Sequence, residues 1–259
     1  MFSIERQSLI LELLEQDGKV DVNSLAYRFS TSKETVRRDL KEMEEAGMLK
    51  RMHGGAVPVI AKRSEGYELP LLIRGVQKYD EKQRICKSAA KLLEDGDTIF
   101  LDNSSTTMNL LRYVPKDIKI TVITNSIQIM LEAGKLNNEN IVVISVGGIF
   151  NIKNYSLFGM ISKNFAQNFF PDKAIMSCRG VDENNGMTDA GILEIELKRD
   201  MLIRSKQFIL LADHSKFGLI GAVYLGGLAE IDCVITDSKA DVQKLKMFEE
   251  HKTAIIIAE

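Results

Sequence analysis

From residue 98 onward, short β-type apolar runs recur between stretches of helical period: TIFL, KITVIT, IVVISV, KAIMSC, QFILLA, CVIT and AIII. Such alternation is the pattern of an α/β domain built on a largely parallel sheet. Ligands of parallel sheets bind beyond the carboxyl ends of the strands. The segments after each run therefore bear on function as directly as the runs bear on fold.

The chain has 259 residues, which suits a small domain followed by a larger one. Its first part has helical period throughout. IERQSLILELLE sets Ile4, Leu9, Leu11, Leu13 and Leu14 around an amphipathic helix that Asp17-Gly18 ends. A second helix, capped by Asp21 or Asn23, carries Leu25, Ala26 and Phe29 as its apolar stripe. Thr31 and Glu34 have the spacing of a capping box for a third helix, whose Val36, Leu40 and Met43 fall on one buried face. Glu34, Arg38 and Lys41 then project away from that face, flanked by Thr35 and Arg37. Gly47 ends this helix, and LKRMHGGAVPV reads as two short strands around Gly54-Gly55 with Lys50, Arg51 and His53 near the tip.

Residues 1–57 hold nine Lys and Arg against ten Asp and Glu, so net charge is silent and placement decides. Lys33, Arg37, Arg38 and Lys41 occupy the first half of the third helix, and Glu42, Glu44 and Glu45 the second. A recognition helix enters the major groove by its N-terminal part, where arginine bonds guanine edges and phosphates. The competing reading is a solvated face pairing with Asp39 or Glu42. The basic hairpin favours double-stranded DNA as the partner.

Residues 58–80, with Gly66, Pro70 and Gly75, read as a linker, and 81–259 as the α/β domain. EKQRICKSAAKLLEDGD should be helical up to Gly96. After TIFL, the loop Asp102, Asn103, Ser104, Ser105, Thr106 and Thr107 offers hydroxyls and backbone N–H groups ahead of a helix, which is either a phosphate cradle or an ordinary helix cap. Thr124, Asn125 and Ser126, then Gly147 and Gly148, and the Asp213–Gly218 loop with Lys216 follow other strands onto the same rim. There the glycines permit close backbone approach, and Lys216 supplies a point charge.

SKETVRRDLKEMEEAGMLKRMHGGAV resembles the N-terminal signature of the DeoR family of bacterial transcription regulators. The resemblance implies a winged helix-turn-helix in which Lys33, Thr35, Arg37 and Arg38 face the operator, with Lys50, Arg51 and His53 on the flanking backbone. DGDTIFLDNSSTT, VITNS, VGG and LADHSKFG are similar to the blocks of that family's sensor domain, whose fold is like that of ribose-5-phosphate isomerase. By that analogy Asp102, Ser104, Ser105, Thr106, Thr107 and Lys216 belong to a pocket for a phosphorylated sugar or related effector. The family often has glycine where this chain has Ser104, and a side chain there reshapes the cradle.

The isomerase-like family also carries a paired-aspartate segment, a glycine-rich loop and a glutamate. In SCRGVDENNGMTDAGILEIELKR, Asp182 matches the second aspartate but Arg179 stands where the first would be. A cation can hold an anionic ligand yet cannot act as a general base. Catalysis is not expected, although Glu194 and Glu196 remain candidates for sugar contacts.

The resulting expectation is a repressor of a sugar operon, relieved by its effector and acting as a dimer or tetramer on paired half-sites. The rivals are an isomerase-like enzyme with an accessory DNA-binding domain and an architectural protein with a vestigial second domain. Cys86, Cys178 and Cys233 lack metal spacing, and no apolar run reaches the ~18 residues of a membrane span. Glu5, Glu12 and Glu15 interrupt any signal-peptide pattern, so a cytoplasmic protein without cofactor or metal is expected.

Overall fold

The computed structural model describes residues 3–58 and 69–259. The chain divides into two compact units, Met1–Asp80 and Glu81–Glu259.

The first unit runs α1 (Ser3–Asp17), β1 (Val20–Asp21), α2 (Val22–Arg28), α3 (Lys33–Glu45), β2 (Leu49–Met52) and β3 (Gly55–Pro58). Its strands form an antiparallel sheet in the order β1-β3-β2. Gly55 is required by this pairing, because a Cβ there would lie 2.0 Å from the Val20 carbonyl oxygen. Ile10, Leu25, Val36, Leu40 and Met43 close the core, each at most 2% exposed. Asp21 caps α2 by accepting from the Asn23 and Ser24 amides at 2.8 and 3.0 Å.

The start of α3 differs from the Thr31–Glu34 expectation. Ser32 is the cap: its hydroxyl accepts from the Thr35 amide at 3.1 Å and pairs with the Thr35 hydroxyl at 2.9 Å. The helix gains a shorter, mutually bonded hydroxyl pair one residue later, and Glu34 stays in solvent.

Part of the stretch read as linker is folded. Leu71–Val76 form α4, whose Ile73 and Val76 join the same apolar cluster as Leu40 and Met43. Apolar side chains three residues apart on one turn give this short helix a face to bury. Residues 59–68 of that stretch lie outside the described residues.

Asp39 is the charge that orients α3. It is 2% exposed and accepts from Arg6 Nε at 2.6 Å, Arg6 Nη2 at 3.0 Å and the Ser3 hydroxyl at 2.9 Å, all from α1. Hydrogen bonds to Asp39 raise the Arg6 guanidinium above its ordinary value in spite of burial. Asp39 is therefore committed to α1 and does not neutralise the outward arginines.

Arg6→Met would leave the Asp39 carboxylate buried and unpaired, at a cost of about 3 kcal/mol. Faster amide exchange along α3 in the full-length protein is the expected readout. Arg38→Ala, on the opposite face, should leave that exchange unchanged.

The second unit begins within α5 (Tyr79–Ala90). It continues through β4 (Thr98–Leu101), β5 (Ile120–Thr124), α6 (Ile127–Leu136), β6 (Ile141–Ser145), β7 (Ile149–Asn151), β8 (Ser156–Phe158) and α7 (Met160–Ala166). Then follow β9 (Lys173–Met176), β10 (Gly180–Asp182), β11 (Gly186–Asp189), α8 (Ile195–Arg204), β12 (Gln207–Leu211), β13 (Val223–Gly226), β14 (Cys233–Asp237), α9 (Val242–Leu245) and β15 (Ala254–Ala258). The helix expected up to Gly96 stops at Ala90, and residues 91–93 continue as tighter turns bonded three residues back.

Each of the seven apolar runs is a strand of one seven-stranded sheet, ordered β15-β14-β12-β9-β4-β5-β6 and parallel throughout. Alternate residues feed opposite cores. Phe100, Phe208 and Leu210 enter one apolar cluster, while Ile99, Leu101, Ile209 and Leu211 enter the other. Strand order departs from β4 in both directions, through β5 and β6 on one side and through β9 and β12 on the other. The β4/β9 junction is thus the switch point, where a crevice opens beyond the carboxyl ends. Among the described residues, no helix is long and apolar enough to cross a membrane.

Candidate DNA and effector sites

In the first unit, Val36, Leu40 and Met43 anchor α3, and the opposite face presents Lys33, Arg37, Arg38 and Lys41 to solvent. Arg37 reaches Glu34 at 3.5 Å and Lys41 reaches Glu45 at 3.8 Å, both across exposed surface. Such pairs are worth ~0 to 1 kcal/mol and yield readily to phosphate. Arg38 has no ionic partner among the described residues. Thr35 is half-buried and holds the cap. Lys50, Arg51 and His53 are exposed on the β2–β3 hairpin, where the Glu44 carboxylate accepts from the Arg51 amide at 2.8 Å and fixes the hairpin to the end of α3. Tyr27 on α2 is 90% exposed, which its position beside Arg28 did not signal.

In the second unit the centre is a buried lysine at the switch point. Lys198 on α8 lies 2.9 Å from Asp102 Oδ2 and 2.6 Å from Asp189 Oδ2, and donates to the Ser177 carbonyl at 2.6 Å. Asp102 ends β4, Ser177 follows β9, and the Ser177 amide donates to Asp102 at 3.2 Å, so the cluster closes the crevice floor. Burial alone would depress Lys198, but Asp102 and Asp189 outweigh it and raise the ammonium above its ordinary value. Burial pushes Asp189 up, and Lys198 more than offsets this, holding it below the usual carboxylate range.

Above that floor lies the hydroxyl loop. Thr107 donates to the Asp102 carbonyl at 2.8 Å and stands 2.8 Å from the Ser104 hydroxyl, which accepts from the Thr107 amide at 3.1 Å. Ser104 therefore shapes the loop from within, just ahead of the turn of 3₁₀ helix at Thr107–Tyr113. The Ser105 and Thr106 amides make no hydrogen bond among the described residues. Lys82, 4% exposed on α5, donates to the Ser105 hydroxyl at 3.0 Å. Two open N–H groups beside an ammonium are the chemistry of an anion cradle.

The Lys216 loop approaches the same rim. Burial would raise the Asp213 carboxyl, but the fields of Lys216 and Lys82 lower it, which brings both lysines to one carboxylate. Lys216 is half-buried, and its ammonium has no hydrogen bond or ion pair among the described residues. Neighbouring His214 has its Nδ1 2.9 Å from buried Asp237. Thr124, Asn125 and Ser126 are buried: Thr124 donates to the Leu101 carbonyl at 2.7 Å, and Ser126 caps α6. Asn125 and Asn103 each hold the β7–β8 hairpin, donating to the carbonyls of Leu157 and Asn154 at 3.2 and 2.9 Å. The carbonyl oxygen of each amide is buried without a hydrogen-bond partner among the described residues.

A sequence model of the DeoR C terminal sensor domain matches residues 77–238, and one of the DeoR-like helix-turn-helix domain matches residues 6–60. The chain belongs to the DeoR family of transcriptional regulators. It is 37% identical over 255 residues to the HTH-type transcriptional regulator YulB of Bacillus subtilis, covering 98% of this chain and 96% of that one. It is 36% identical over 259 residues to the regulator GolR of Listeria innocua, with 100% of both covered. The glycerol-3-phosphate regulon repressor of Escherichia coli is 28% identical over 251 residues, with 97% of each covered. Among solved structures, ribose 5-phosphate isomerase from Methanocaldococcus jannaschii is similar over 54% of this chain and 55% of its own, at 19% identity and a TM-score of 0.40.

Not every residue expected in this DeoR sensor pocket joins the cluster. Asp182 caps its own hairpin turn, accepting from the Asn184 and Asn185 amides and from Asn185 Nδ2 at 2.7 Å. Arg179 is exposed, its amide donates to the Thr188 carbonyl, and its guanidinium has no ion pair among the described residues. Gly148 serves packing: a Cβ would lie 2.1 Å from the Ser162 hydroxyl and 2.6 Å from the Phe158 carbonyl. The Gly147 carbonyl accepts from that same hydroxyl. Glu196 pairs with Lys163 and Arg199 at the surface, whereas Glu194 accepts from the Ser156 hydroxyl.

Lys82 and Lys198 are the residues that sequence reasoning missed. Both interrupt apolar stripes, Lys82 with Ile85, Cys86 and Ala89, and Lys198 with Ile195, Met201 and Leu202. A lysine on a buried helical face needs a fixed acceptor, and that was the available signal.

Lys198→Met should destabilise the second unit by about 3 to 5 kcal/mol, because two buried carboxylates lose their cation. The acid limb should also change sign. In the wild type Asp189 titrates below its unfolded value, so its contribution is complete above a pH of about 4 and is lost as pH falls further. In the variant, burial without the cation raises Asp189, and stability should increase as pH is lowered toward about 4. Urea titrations across that range read both effects.

Proposed function

We propose that this DeoR-family protein is a cytoplasmic repressor of a carbohydrate catabolic operon, released from its operator when a phosphorylated sugar or related metabolite enters the second unit. The observation that carries the reading is the rim itself: unpaired Ser105 and Thr106 amides beside Lys82, with the free ammonium of Lys216 sharing Asp213. Donors of this kind favour a dianionic group over a neutral sugar. The name of the Escherichia coli relative, a glycerol-3-phosphate regulon repressor, supports the same class of effector. Ligand control requires that the effector bind the two DNA-affinity states unequally, since equal affinity shifts nothing.

A non-catalytic role is part of this proposal. Asp182 is occupied by its turn and Arg179 stands in solvent, so the positions matching a paired-acid segment offer no proton shuttle. Asp102 has both oxygens engaged by Lys198, Ser177 and Thr107, which suits a rigid floor better than a base.

On the DNA side, Lys33, Arg37, Arg38 and Lys41 would read the groove, with Lys50, Arg51 and His53 on the flanking phosphates. Arg37 and Arg38 replaced together by alanine should weaken specific operator binding by ~2 to 6 kcal/mol if both are base-directed. The change should leave stability untouched. A gel-shift titration at fixed salt checks this, and unchanged affinity would remove α3 as the reader.

On the effector side, Lys216→Ala should weaken a phosphorylated sugar roughly ten-fold to a hundred-fold, through one lost charge-assisted bond of ~1.5 to 3 kcal/mol. Operator binding without effector should stay intact. Calorimetry with paired sugars and sugar phosphates tests both: equal affinity for the two forms, or no loss in the variant, places the pocket elsewhere.

A further inference from the structure

The β7–β8 hairpin carries its apolar residues outward. Ile149, Phe150 and Ile152 are 59%, 46% and 75% exposed, and Met160 and Ile161 at the start of α7 are 68% and 67% exposed. They flank β7 on both sides of its ribbon, since Ile149 and Phe150 are successive strand residues and point to opposite faces. Ile149 lies over Gly159, within 3.6 Å of where a Cβ would stand, and Ile161 lies over Gly147. At ~200 Å² per large side chain, the exposed fractions amount to roughly 600 Å² summed over the two sides of the strand, of the order of the ~800 Å² per partner of a stable interface.

The backbone beneath is also uncovered. β8 is held on its far side, where Ile127 donates to the Tyr155 carbonyl and Leu157 to the Asn125 carbonyl at 2.9 and 2.8 Å. The two-stranded sheet therefore ends at β7, whose outer edge has no strand partner among the described residues. Folded chains protect such edges with charge, proline or a bulge. Here the edge bears isoleucine and phenylalanine instead, and only cover removes the exposure.

We infer that the face formed by β7 and the start of α7 is the contact between two copies of this chain, with β7 meeting β7 of the second copy across a two-fold axis. Five apolar side chains without an acid or base among them can face their own image without like-charge repulsion, which a self-complementary patch requires. Antiparallel edge pairing satisfies the open amides and carbonyls while the flanking side chains bury one another. The summed area approaches that of a dimer interface.

The inference rests on the reading that two copies act together on paired half-sites, but its test needs no DNA. Sedimentation of the full chain over a range of concentrations should give an even-numbered assembly, and Phe150→Asp with Ile152→Asp should halve its mass with an unchanged circular dichroism spectrum. In a separate arm, Ile152→Cys should be joined into a covalent dimer by a short bis-maleimide, against a silent background, because the native Cys86, Cys178 and Cys233 are all buried. A monomeric wild type, an undiminished mass in the double variant, or a cysteine variant that stays monomeric after cross-linking would each overturn the interface. A dimer that fails to bind operator would leave the interface standing and sink the DNA reading.

Discussion

Lys198 is the group on which the second unit depends. Its ammonium bridges the end of β4 and the loop after β9, which meet at the switch point of the parallel sheet, to the end of β11 in the separate antiparallel sheet. Without a cation there, Asp102 and Asp189 would face each other in a site that admits little water, and the crevice would have no floor. A charge cluster is costly to bury, so its retention points to geometry rather than to stability. It fixes the loop on which the open Ser105 and Thr106 amides sit.

The first unit uses the same device on a smaller scale. Arg6 and Asp39 lock α1 to α3, and the lock leaves the outer face of α3 with basic groups that are weakly paired or unpaired. In both units a buried ion pair fixes an element that carries groups the proposed function assigns to the partner: the outer face of α3 in one, the hydroxyl loop in the other. Apolar packing alone would leave the rotation of α3, or the height of the hydroxyl loop, less sharply defined.

The sheet was legible because its strands are short and uninterruptedly apolar, and each of the seven runs is a strand of the parallel sheet. The α3 pattern was legible because Val36, Leu40 and Met43 are large and regularly spaced. What escaped the sequence was pairing at a distance. Ser32 and Thr31 are equivalent caps until backbone geometry chooses between them, and Asp39 looks like a surface acid until Arg6 is brought against it. The turn that Asp182 caps and the close packing at Gly148 were not legible either, since a turn cap and a packing contact leave no periodic trace. Lys82 and Lys198 did leave one, as basic residues on apolar stripes, and weighing that misfit would have found them.

The amides of Asn103 and Asn125 sit among the effector loops yet hold the backbone of the β7–β8 hairpin, at Asn154 and Leu157. On the proposed reading, a metabolite that draws either side chain toward itself would loosen the strand inferred to join two copies, and a metabolite that leaves them in place would not. By linkage, whatever assembly does to metabolite affinity, the metabolite does to assembly. The dose at which the operon responds would then depend on how much regulator the cell holds, so a change in the abundance of this protein would retune its sensitivity without altering a single residue of the pocket.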